Sequence, residues 1–166
     1  EKSFLVHLSK LQTVQYDVLD VKATRWHDDF NQFKTAVKDL EVMMQNVINS
    51  TFDRIDSVAI GVKELESFHS LAKREAIVRC VENKSVYLYE LFLKQVEMVK
   101  TEFEARRKKP PLLPDEPMYA GAGLWTYGLL EWIQNQYEAL GSAAFLPSSS
   151  REGREAAAQF EDLKKA

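Results

Sequence analysis

Between two strongly helical stretches the chain reads PPLLPDEPMYAGAGLW, from Pro110 to Trp125. No continuous helix can cross this segment. Pro110, Pro111, Pro114 and Pro117 each fix φ and remove a backbone donor, so a helix arriving at Lys109 must stop there. Gly121, Ala122 and Gly123 then let the chain restart in close contact with a neighbour, and Trp125 follows.

On either side of this break the apolar residues fall at helical intervals. Phe4, Leu5, Leu8, Leu11 and Val14 mark one face of a first helix. Tyr16-Asp17-Val18-Leu19-Asp20 is poorer helix sequence, in which the two aspartates cap or bend the chain. Phe30, Phe33, Val37, Leu40, Met44 and Val47 form a heptad-like seam on a long helix expected over 23–54. Phenylalanine at two seam positions favours packing within a bundle over a two-stranded zipper. Asp56 or Ser57 caps a short helix that turns Ile60, Leu65, Phe68 and Leu71 to the core, and a bend is expected before Ile77. Leu88, Phe92, Val96, Val99 and Phe103 line a second long helix, whose C-terminal dipole is met by Arg106 to Lys109. Leu124, Trp125, Leu129, Trp132, Ile133, Tyr137 and Leu140 form a wide aromatic stripe ended by Gly141-Ser142, and Ser150 is placed to cap a last helix.

No period-two strand pattern appears, so the fold class is all-α, an elongated stack of long helices in bundles. The organisation expected is a helix end and turn at 1–22, a long-helix bundle at 23–109, a Pro/Gly connector at 110–123 and an aromatic helix at 124–141. A linker at 142–150 and the start of another helix at 151–166 complete it. The absence of an initiator Met and the amphipathic patterns at both ends read as an excerpt from a longer chain.

A net charge of −3 gives no field for nucleic acid, and no apolar run approaches the ~20 residues that span a bilayer. The piece therefore reads as soluble, with neither nucleic acid nor membrane insertion expected. The single Cys80 cannot pair internally and reads as a small buried side chain in a reducing, intracellular setting. His7, His27 and His69 lack the i, i+4 partners of a metal site, and the carboxylate pairs Asp28-Asp29 and Glu64/Glu66 suit a solvated helix face. Walker A, G-x-S-x-G and dinucleotide fingerprints are absent. A hydrolase reading has almost no support, and the basic run at 106–109 is best read as a capped, solvated terminus.

Taken in order, these elements resemble the N-terminal tail of a dynein heavy chain, in its first tail region. The resemblance rests on Tyr16-Asp17-Val18-Leu19-Asp20, on Phe30, Phe33, Leu40 and Glu41, and on Leu65 and Phe68. It continues through the helix of Leu91, Phe92, Val96, Val99 and Phe103 into Pro110, Pro111, Leu112, Pro117, Ala120, Gly121, Trp125 and Leu129. Asp115-Glu116 before Pro117, and Glu131 and Trp132 after Leu129, depart from the family pattern, and 142–166 carries no match.

The resemblance implies a structural and assembly segment, not an enzyme. It couples an ATP-driven microtubule motor to pairing with another heavy chain and to intermediate chains, light chains and docking proteins. ATP and Mg would belong to the motor downstream, this segment holding no cofactor or metal, and microtubules would be met only through that distant motor. A ciliary or flagellar axoneme is favoured, with the cytoplasm as alternative; a stand-alone helical adaptor unrelated to motors is the other reading. The motif residues are Tyr16, Asp17, Leu19, Asp20, Pro110, Pro111, Pro117, Gly121 and Trp125. Candidate partner contacts are Leu112, Leu113, Met118, Trp132 and Tyr137, weighed against packing inside the bundle.

Overall fold

A computed structural model describes residues 2–16, 24–112, 117–146 and 148–165. Six helices and no strand are found among the described residues, an all-α fold. They fall into two units, Glu1–Ser50 and Thr51–Ala166.

The first unit holds α1 (Lys2–Thr13) and most of α2 (Arg25–Phe52). α2 is the long helix that the seam required, two residues shorter at each end than expected. Phe30, Phe33, Val37, Leu40 and Met44 are half-buried, as a seam on one helical face should be, whereas Val47 is exposed. Trp26 stacks on Phe30 with centroids 4.8 Å apart, and the Lys34 ammonium lies 4.6 Å from the Phe30 ring centre, covering the aromatic start of the helix.

The second unit is built around α4 (Glu75–Arg106), against which α3 (Val58–His69), α5 (Met118–Ser142) and α6 (Arg151–Lys165) all pack. α3 and α5 also meet. The spacing of Leu88, Phe92, Val96 and Val99 puts four apolar side chains on one stripe of α4, and all four are buried. Phe92, Tyr137 and Phe160 form the centre, one ring from each of α4, α5 and α6, with Tyr137 stacked on Phe160 at 4.5 Å. The expected bend before Ile77 is the turn between α3 and α4, and Cys80 is buried on α4 as expected.

Two expectations are corrected. On α3 the core face is Val58, Gly61, Val62 and Leu65, while Ile60 and Leu71 are more than half exposed. Gly61 lets α3 come close to α4 on this face, since a Cβ there would run into the Leu88 side chain and stand 3.3 Å from Ile55 Cγ2. The aromatic helix also begins at Met118 rather than 124. Pro117, at the N-cap position, supplies a fixed φ, and its carbonyl accepts the Gly121 N–H at 2.8 Å, so helix starts before the glycines.

The last helix starts where Ser150 predicts, its hydroxyl accepting the Gly153 N–H at 3.0 Å. Gly153 itself is required by contact, since a Cβ there would lie 2.6 Å from the Ser148 carbonyl oxygen. No helix of the described residues is long and apolar enough to cross a membrane.

Candidate functional site

The chemistry-bearing residues do not converge. No group of three His, Cys, Asp or Glu side chains among the described residues is placed to hold a metal. His69 stacks on Phe145 at 5.1 Å. Arg106 and Arg107, in the basic run, pair along their own chain with Glu102 (2.9 Å) and Glu104 (3.1 Å), exposed pairs of small energetic weight.

What the second unit does present is an apolar surface between α4 and α5. Trp132 is 43% and Met98 59% exposed, and with Leu129, Val99, Lys94 and Glu97 they line a shallow groove. Farther round, between α4, α5 and α6, Phe103, Leu130 and Leu163 line a second groove of about 260 Å³. The exposed face of α5 adds Leu124 and Tyr127, each 62% exposed. Side chains of this size left in water together are the ordinary mark of an interaction surface.

The candidate contacts separate accordingly. Trp132 lies in the groove and Met118 is exposed at the helix start, whereas Tyr137 is half-buried between Phe92 and Phe160 and belongs to the bundle centre. Leu112 is half-buried, and Leu113 lies outside the described residues. Met98 was not singled out by the sequence, because it falls outside the Val96, Val99 and Phe103 stripe. Its position on the opposite flank of the same turn was the available signal.

At the joint, Pro110 is half-buried and Pro111 exposed, and α4 ends at Arg106, four residues before the first proline. Gly121 is buried, and Trp125 stacks nearly parallel on Phe103 with centroids 6.1 Å apart, bringing α5 onto the end of α4. The other motif element is represented by Tyr16 alone, as Asp17, Leu19 and Asp20 lie outside the described residues. The Tyr16 hydroxyl donates to Asp29 Oδ2 at 2.9 Å, and the Lys10 ammonium sits 2.5 Å from Oδ1, so one buried carboxylate ties α1 and its exit to α2.

The hydrogen bond from Lys10 holds the Asp29 carboxyl below the usual carboxylate range; desolvation opposes it, and the Tyr16 hydroxyl adds to the lowering. A lowered folded pKa means the clasp's stabilisation is fully present above the unfolded value of about 3.9 and is lost as pH falls through the lower folded one. The thermal midpoint should therefore gain no pH dependence from Asp29 between neutrality and about pH 5. Asp29→Asn should weaken the clasp at neutral pH and remove its acid titration. An NMR titration placing the Asp29 carboxyl at or above its ordinary value contradicts this.

The model for dynein heavy chain, N-terminal region 1, matches residues 1–166. The dynein-1-beta heavy chain of the flagellar inner arm I1 complex of Chlamydomonas reinhardtii is 40% identical over 161 residues, 97% of this chain and 4% of that protein. Dynein axonemal heavy chain 2 of Homo sapiens is 42% identical over 147 residues, covering 89% of this chain and 3% of its own length. The dynein beta chain of the Chlamydomonas flagellar outer arm is 30% identical over 139 residues, 84% of this chain and 3% of that protein. The chain thus spans only a few per cent of the relatives it matches, within the tail and not within the ATPase motor. An all-α bundle with an exposed apolar face, matched from end to end by this model, belongs to the dynein heavy chain family, as its N-terminal region 1.

Proposed function

We propose that this segment is a mechanical and assembly element of an axonemal dynein heavy chain. It connects the ATP-driven microtubule motor to heavy-chain pairing, to intermediate and light chains and to the docking site. The relatives named as flagellar or axonemal support the cilium or flagellum as its place of work. Membership of the family sets aside a stand-alone adaptor unrelated to motors.

The observation that carries the assembly role is the exposed apolar surface of α4 and α5, with Met98, Leu129 and Trp132 side by side. Helices of four and more turns, packed on a three-ring centre, support that surface. Its energy on binding would come from burying the indole and the thioether in a partner's pocket, where an anchor residue contributes about 2 kcal/mol or more.

Trp132→Ala in the heavy chain should weaken capture of intermediate chains by about tenfold or more, with the segment still folded because the indole, 43% exposed, lies outside the fully buried core. Equal capture by an equally folded variant overturns the assignment of Trp132.

A further inference from the structure

The first turn of α3 is completed by a side chain from another helix. Ser57 has the extended backbone of an N-cap, with φ −113° and ψ 127°, yet its hydroxyl makes no capping bond to its own helix. Oε1 of Gln136, on α5, takes that place: it accepts the Ala59 N–H at 3.0 Å and the Ser57 hydroxyl at 3.2 Å. Gln136 is buried, and Ser57 and Ala59 are half-buried, so the bonds are partly shielded from water. The turn before α3 is held from a third side by Gln95 of α4, whose Nε2 donates to the Asp56 carbonyl at 2.7 Å.

An uncapped helix start leaves backbone donors without partners, so a cap supplied by α5 ties the integrity of α3 to the position of α5. Ser57 is the residue type that ordinarily provides such a cap, and its backbone already has the required conformation. A serine hydroxyl in this backbone conformation has staggered χ1 positions open to it, and the N–H groups of Ala59 and Ile60 are the ones that an N-cap oxygen ordinarily accepts from.

We propose that Ser57 and Gln136 form an exchangeable cap. While α5 is seated, Gln136 finishes α3 and the Ser57 hydroxyl donates to it. When α5 shifts, Ser57 turns to accept from its own helix, and α3 keeps its first turn. The device lets one helix of the bundle move against another without unravelling it, and it stands independently of which partner the segment binds.

Amide hydrogen exchange at Ala59 and Ile60 tests this in the chain and in three variants, Gln136→Leu, Ser57→Ala and the double variant. With two alternative caps, each single variant should raise exchange by no more than about threefold, and the double variant by at least about tenfold beyond the product of the two. Gln136→Met, closer in shape to glutamine, repeats the comparison should leucine disturb the packing around α5. Effects that simply multiply, or full loss of protection in Gln136→Leu alone, overturn the proposal.

Discussion

Phe92→Ala is expected to lower the unfolding free energy of the second unit by about 3–5 kcal/mol. The ring is fully buried and stands 5.7 Å from the centroid of Tyr137 and 6.3 Å from that of Phe160, so this side chain of α4 meets aromatic rings on both α5 and α6. Its removal combines the lost transfer energy with a cavity that three long helices cannot easily close. Domains are stable by only about 5–15 kcal/mol, so the loss is a large share of the total. Urea unfolding should show a lower midpoint with an unchanged slope. A loss below about 1 kcal/mol would mean that the three rings do not form the centre of the bundle.

The second large effect is at Gly61. Alanine normally stabilises a helix interior over glycine by about 1 kcal/mol, because it restricts the unfolded chain and covers the backbone. Here the new Cβ would overlap the end of the Leu88 side chain, which is completely buried and would have to repack among its neighbours. Overpacking of this kind costs about 1–3 kcal/mol, and Gly61→Val, with two further methyl groups, should lie at the upper end. Gly128, in the middle of α5, is the internal comparison: it is exposed with nothing within 4 Å of an added Cβ, so Gly128→Ala should stabilise by about 0.5–1 kcal/mol. Thermal or urea unfolding of the two variants should therefore move in opposite directions. A shift in the same direction would contradict the close approach of α3 to α4.

The contrast between these glycines shows what the sequence could and could not disclose. Seams at three- and four-residue spacing revealed α2 almost to its ends and α4 from Leu88 to Phe103, since a helix writes its buried face into periodicity, while the first turns of α4 lie before that seam. Ser150 and the prolines marked boundaries through local chemistry, and the structure places a cap and a helix end near them. Gly61, Gly128 and Gly153 look alike as letters; their roles depend on whether Leu88, open space or the Ser148 carbonyl faces them. The same holds on the aromatic stripe of α5. Trp132 and Tyr137 lie five residues apart, and only the arrival of α4 and α6 puts Tyr137 among rings while leaving Trp132 exposed. The Gln136 cap depends wholly on contacts between helices, so no spacing rule announced it. The family itself was legible because its signal is spread over ordered motifs and does not rest on any one contact.

The claim that α4 and α5 present an assembly surface is tested most directly by placing a photoactivatable cross-linking amino acid at position 98 in the heavy chain and irradiating the assembled dynein. Met98 faces outward beside Trp132 and its replacement leaves the bundle centre untouched. The account predicts an adduct to an intermediate chain, a light chain or the second heavy chain, lost when Trp132→Ala is combined with it. Assembled, fully labelled dynein that yields no adduct between this position and another subunit would contradict it.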